Sequence, residues 1–131
     1  MKKILLLLII PAVLLTMLTL SCKKEKPEEP TKPYSELIVG RWMTADGGHY
    51  EVYDANGTGH MWDPADDVQE DEADQFEWTM EEDHKQFMQL IHFQGGQGTV
   101  PQYCNILELT ETTFKYNNEG WRATYNLIRV N

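Results

Sequence analysis

From Leu37 onward the chain breaks into short apolar runs separated by turn signals, and no window carries a sustained stripe at helical spacing. Runs near 40–45, 48–54, 58–62, 75–80, 86–93, 103–109, 112–117 and 121–130 predict eight strands. Alternation is cleanest in Phe76-Glu77-Trp78-Thr79-Met80, whose apolar members point to one face. In the last run Trp121, Ala123, Tyr125 and Leu127 form the inward set, and Arg129 continues it. A charge in an inward position needs a partner, and an aromatic face supplies one.

Asn56-Gly57 and Asn117-Asn118-Glu119-Gly120 place residues that accept positive φ between runs, and Glu81 to Lys85 and Thr110 to Thr112 are short polar breaks. Parallel pairing needs crossovers of about a dozen residues, so these connections predict antiparallel hairpins. Closure of eight such strands removes both sheet edges. The predicted fold is therefore all-β, a single antiparallel eight-stranded up-and-down barrel over residues 37–131.

The N-terminus has a different texture. Lys2 and Lys3 precede an apolar run from Ile4 to Leu20, and small Ser21 stands before Cys22, the layout of an export signal over residues 1–21. An uncleaved membrane helix is the competing reading, but 17 residues span only about 26 Å and Pro11 weakens the helix. Residues 22–36, with three prolines and eight charges after Cys22, predict a flexible tether. Its fourteen residues beyond the cysteine reach about 43 Å in polyproline-like extension.

Thr19-Leu20-Ser21-Cys22 resembles the lipobox of bacterial lipoproteins, with Thr19 where that family prefers an aliphatic residue. The resemblance implies diacylation of Cys22 and a membrane held through lipid; Lys23 after the cysteine points to the outer membrane, on its periplasmic face or at the cell surface. With Cys22 acylated, Cys104 has no disulfide partner and reads as a small buried hydrophobe.

Gly40-Arg41-Trp42 in the first run, the Asp54-to-Gly59 hairpin, Phe76-Glu77-Trp78 and the terminal Tyr125-to-Arg129 run together resemble the lipocalin-like domains found as lipoproteins in gut-type Bacteroidetes. The resemblance implies a lipocalin-like barrel in which Arg129 packs across Trp42 as structural closure. A full lipocalin is longer and carries a helix beside the barrel, for which this chain has no room.

The chain carries 21 acids against 11 bases, a net charge of −10, which excludes the basic footprint of a nucleic-acid binder. Asp63 to Asp83 holds eleven acids and neither lysine nor arginine. Asp63, Asp66, Asp67, Glu70 and Asp71 could supply oxygens to calcium, but the spacing lacks the glycine of the known loop, so a solvated acidic loop is the better reading and no metal is assigned. His49, His60, His84 and His92 form no metal-ligand pair in sequence, although His49 and His60 could face each other across the Asn56-Gly57 hairpin.

Ser35 is the one serine after Ser21, no nucleophile elbow is present, and Glu77 and Glu108 read as outward charges. Gly95 to Pro101 reads as a rim loop. The chain is thus expected to be a monomeric non-enzyme without cofactor, and two function classes stay open. A binding module would take a small apolar or amphipathic ligand at the open end, lined by some of Tyr50, Tyr53, His60, Trp62, Phe87 and Phe93. An interaction module with a filled barrel would meet a basic protein partner through its acidic loop or rim.

Overall fold

A computed structural model describes residues 32–131. Its strands are β1 (Gly40–Thr44), β2 (Tyr50–Tyr53), β3 (Thr58–Trp62), β4 (Asp74–Glu81), β5 (Gln86–His92), β6 (Thr99–Leu109), β7 (Thr113–Asn118) and β8 (Ala123–Arg129). Each is antiparallel to its successor and β8 pairs with β1, which closes an up-and-down barrel. The signal segment 1–21, Cys22 and most of the tether lie outside the described residues.

The tether ends sooner than its composition suggests. Tyr34–Leu37 forms one helical turn, α1, whose Tyr34 and Ser35 amides donate to the Glu82 carboxylate at 2.9 and 2.7 Å. Leu37 and Ile38 are buried, so their apolar area draws the preceding residues onto the barrel. The chain thus enters at the end that carries the 54–57, 82–85 and 110–112 turns. The segments 45–49, 63–73, 93–98 and 119–122 crown the opposite, distal end.

At the entry end Trp42 is fully buried and donates its indole N–H to the Ile38 carbonyl at 2.8 Å. The Arg129 guanidinium lies 4.2 Å from the Trp42 ring centroid, within cation–π range. It also donates to the carbonyls of Leu37, Val39 and Glu111 at 2.6, 2.8 and 2.5 Å. Gly40, at φ 136°, is required here, because a Cβ would collide with that guanidinium.

Inside, the Tyr53 ring meets Phe76, Phe87 and Phe114 at centroid distances of 5.1, 6.1 and 5.9 Å. Ile91, Ile106, Leu109 and Leu127 complete the packing, and Trp78, Met80 and Tyr125 lean against it half-buried. Cys104 is buried among them. Gly59 makes room for the Phe76 ring, which a Cβ would overlap.

Two features depart from the expected strands. The end of the glycine-rich stretch is strand, since β6 begins at Thr99. Residues 99–103 pair with β5 alone, and pairing with β7 starts at Cys104 opposite Asn118. The Tyr103 carbonyl faces the β7 side, where it accepts from Glu119 N–H, so Pro101 two residues earlier turns its missing donor to the unpaired edge. Trp121, expected to point inward, is instead 42% exposed. It belongs to a turn in which Arg122 adopts φ 52° and the Trp121 amide is held by Asn118 Oδ1 at 3.0 Å, so the inward series begins only at Ala123.

Candidate functional site

His49, Glu51 and Tyr53 share the inward face around β2, and Glu51 has no solvent exposure. Its carboxylate accepts from Tyr53 Oη at 2.7 Å, from Tyr116 Oη, and from His49 Nε2 at 2.8 Å. The other imidazole nitrogen, Nδ1, meets Asp63 Oδ1 at 2.6 Å at the distal end. The Gln89 amide donates to Tyr53 Oη at 2.6 Å, and Cys104 Sγ lies 3.9 Å from Gln89 Oε1. A continuous polar chain therefore runs from the distal rim into the barrel's centre.

Burial alone would neutralise the His49 imidazole, but the flanking Glu51 and Asp63 carboxylates outweigh it and raise its pKa to about 9. At neutral pH an imidazolium is thus clamped between two carboxylates, and the Tyr125 ring lies tilted beside it, centroids 5.1 Å apart. Burial, reinforced by the Glu51 charge, pushes the Tyr53 and Tyr116 phenols well above their usual range, and burial does the same to the Cys104 thiol. Each of these groups is held in its protonated form. Ser35, the one serine among the described residues, sits in α1. The cluster therefore fixes charge inside the barrel and presents no ready nucleophile.

The six residues expected to line one cavity are divided between two faces. Tyr53 and Phe87 belong to the core, and Phe93 packs against it part-buried near the distal end. Tyr50, His60 and Trp62 lie on the outer face. Tyr50 and Tyr53 stand three apart in one strand, which puts them on opposite sides. In β3 it is Gly59 and Met61 that face inward, so His60 and Trp62 cannot. His49 and His60 accordingly sit on opposite sides of the wall rather than across a hairpin, with His60 paired to Val52.

Outside, Tyr50 stacks on Trp62 at 4.8 Å with ring planes 8° apart, and His60 stacks on Trp62 at 5.5 Å. Arg41 lies 4.8 Å from the Trp62 centroid and binds Glu70 through two bonds of 3.0 and 2.8 Å. His60 Nε2 also reaches Glu70, at 3.0 Å. Arg41 foremost, then His60, draws the Glu70 carboxyl down to about 2.

These contacts fold the acidic segment over β1–β3 as two 3₁₀ turns, Pro64–Asp66 and Glu70–Glu72, rather than leaving it wholly solvated. With His49 on Asp63, and Arg41 and His60 on Glu70, two of the five carboxylates weighed for calcium are already paired. Among the described residues no group of three His, Cys, Asp or Glu side chains is placed to hold a metal ion.

A groove of about 130 Å³ runs along the outside of β4–β6 past Thr79, Glu81, Gln86, Phe87, Met88 and Tyr103. It is smaller than the roughly 300–1,000 Å³ that small-molecule pockets occupy. No family model matches the chain, nor does any curated protein or solved structure.

Proposed function

We propose that the protein is a non-enzymatic interaction module, held at a bacterial membrane through a lipid on Cys22, that meets a basic partner with the distal acidic rim of a filled barrel. The observation that carries this reading is the packing of Tyr53, Phe76, Phe87, Phe114 and Tyr116 through the interior, with the Glu51 cluster in the space that remains. Eight strands are just wide enough for side chains to fill the lumen, which disfavours a carrier of an apolar ligand.

Chain entry supports the choice of surface. Lys32 stands ten positions after Cys22, about 31 Å if extended, and from Lys32 the chain joins the barrel at the entry end that Arg129 and Trp42 seal. The opposite end carries Asp66, Asp67, Asp71 and Glu72, all exposed. The lipocalin-like resemblance and the outer-membrane placement belong to the same proposal and rest on the sequence motifs.

Site-specific photocrosslinking in whole cells tests it. A crosslinker at Asp67 or Asp71 should capture a discrete partner, one at Thr112 should not, and reversing Asp66 and Glu72 to lysine should abolish capture. Saturable one-to-one uptake of a fluorescent fatty-acid analogue by the folded barrel would return the protein to the ligand-carrier class.

A further inference from the structure

The distal half of the interior also holds three amides, which join the Glu51 network only through the Gln89–Tyr53 bond and are incompletely satisfied. Gln89, Gln102 and Asn118 are all inward-facing and buried on β5, β6 and β7. Gln89 stands opposite Gln102, and Asn118 opposite Cys104, so Gln102 and Asn118 are diagonal neighbours on one wall. Gln102 Oε1 and Asn118 Nδ2 are fully enclosed yet have no hydrogen-bond partner. Gln89 Oε1 has only the Cys104 thiol, at 3.9 Å. Buried amide atoms are rarely left unpaired, because they have given up water without replacement.

The unmet needs are of both kinds, an acceptor on Gln102 and a donor on Asn118. Above them the turn Glu119–Arg122 closes the wall: Gly120 lies directly against the Gln102 amide, and Arg122 holds a left-handed conformation that a non-glycine residue seldom adopts. Trp121 of that turn and Val100, two residues before Gln102 in β6, are exposed by 42% and 38%. Convergent polar groups with unmet hydrogen bonds beside exposed apolar side chains are what orient a ligand in small-molecule sites.

We infer that the wall of Gln89, Gln102 and Asn118 beneath the 119–122 turn is a subsite for a small uncharged molecule. Its polar head, a primary amide or a hydroxyl, both donates and accepts hydrogen bonds, and its apolar body lies against Trp121 and Val100. The head donates to Gln102 Oε1 and accepts from Asn118 Nδ2, and the 119–122 turn moves aside to admit it. A carboxylate head could satisfy Asn118 but not Gln102, and it would enter an interior already holding the Glu51 charge. The site is independent of the partner reading, since it uses the inner wall rather than the acidic rim.

The test is a titration of the ¹⁵N-labelled full chain with 3-phenylpropionamide and, separately, with 3-phenylpropionate, which has the same tail and a charged head. The side-chain amide signals of Gln89, Gln102 and Asn118 and the Trp121 indole signal are followed. The amide probe should give saturable shifts at these groups and bind at least about tenfold more tightly than the carboxylate. Gln102→Leu and Asn118→Leu, each checked for an intact spectrum, should each weaken it by about tenfold. The two-probe comparison needs no variant and so stands even where a substitution disturbs folding. Absence of saturable shifts, equal binding of the two probes, or a tightly held water bridging Gln102 and Asn118 that the amide fails to displace would overturn the assignment.

Discussion

Replacing Glu51 by glutamine isolates the energetic role of the buried carboxylate. Glu51 accepts two phenolic hydrogen bonds and one from an imidazolium, with no solvent to take over any of them. Glutamine keeps the shape but offers one carbonyl and two donors, so a phenol is left facing an N–H and His49 loses its principal counter-charge. Removing one partner of a buried ion pair costs about 3–5 kcal/mol, a large part of a small domain's stability. Equilibrium urea unfolding followed by tryptophan fluorescence should register that loss at pH 7.

The pH dependence supplies a second reading of the same variant. His49 has a folded pKa of about 9 against an ordinary 6.5, so its contribution is fully present below about pH 6.5 and is lost as pH rises through 9. The shift corresponds to about 3 kcal/mol, and most of that slope should vanish in Glu51→Gln, where Asp63 alone remains beside the imidazole. A variant within about 0.5 kcal/mol of the parent, or one with an unchanged slope between pH 6.5 and 9, would refute the reasoning.

Arg129→Met should cost about 2–4 kcal/mol, because three carbonyls and the Trp42 face lose their cation together; lysine at 129 should recover only part of it, as measured by thermal unfolding. Trp78→Ala should cost about 2–4 kcal/mol by urea unfolding, since the ring packs against the core and its indole N–H serves the Asp54 and Thr58 carbonyls, and a loss below 1 kcal/mol would show that this contact is dispensable. Cys22→Ala should release the protein into the soluble fraction without acyl mass, whereas membrane retention of the variant would favour an uncleaved helix.

Barrel closure was legible in the sequence because each signal acts over a few residues: Asn56-Gly57 fixes a hairpin, and Phe76, Trp78 and Met80 fix a face. The inward phase of Arg129 called for an aromatic partner, and the lipocalin-like resemblance named Trp42 as that partner. The interior site did not follow. In His49-Tyr50-Glu51-Val52-Tyr53 both faces carry an aromatic residue, and the apolar Val52 argues for the face that proves to be outside. Only long-range partners reverse that choice. Tyr116 is 65 residues from Glu51 and Gln89 is 36 from Tyr53, separations at which alternation within a strand carries no information. The missed signal was the repeated parity of polar residues, Glu51 with His49 and Asn118 with Tyr116, which placed amides and charges among aromatics on one face.

A charge at the centre of so small a barrel costs solvation that an apolar residue would not, so its retention calls for a reason other than stability. Register is one that the geometry allows. A one-residue slip of β2 would turn Tyr50 and Val52 inward, an apolar pair that the lumen could bury, and would present Glu51 and Tyr53 to water. Hydrophobicity alone therefore discriminates weakly between the two registers of this strand. Glu51 discriminates strongly, because only one register brings its carboxylate to Tyr116 and holds Tyr53 beneath Gln89. Replacing the set by apolar residues, with Glu51→Leu, His49→Leu, Tyr53→Phe, Tyr116→Phe and Gln89→Leu together, removes the buried carboxylate, the phenols and the amide that pairs with them. That variant should recover the stability lost in Glu51→Gln, yet show doubled backbone signals for residues 50–53 by NMR as the two registers become comparable. A single set of sharp signals would mean that the turns and the Gly59–Phe76 fit define the register without the buried charge.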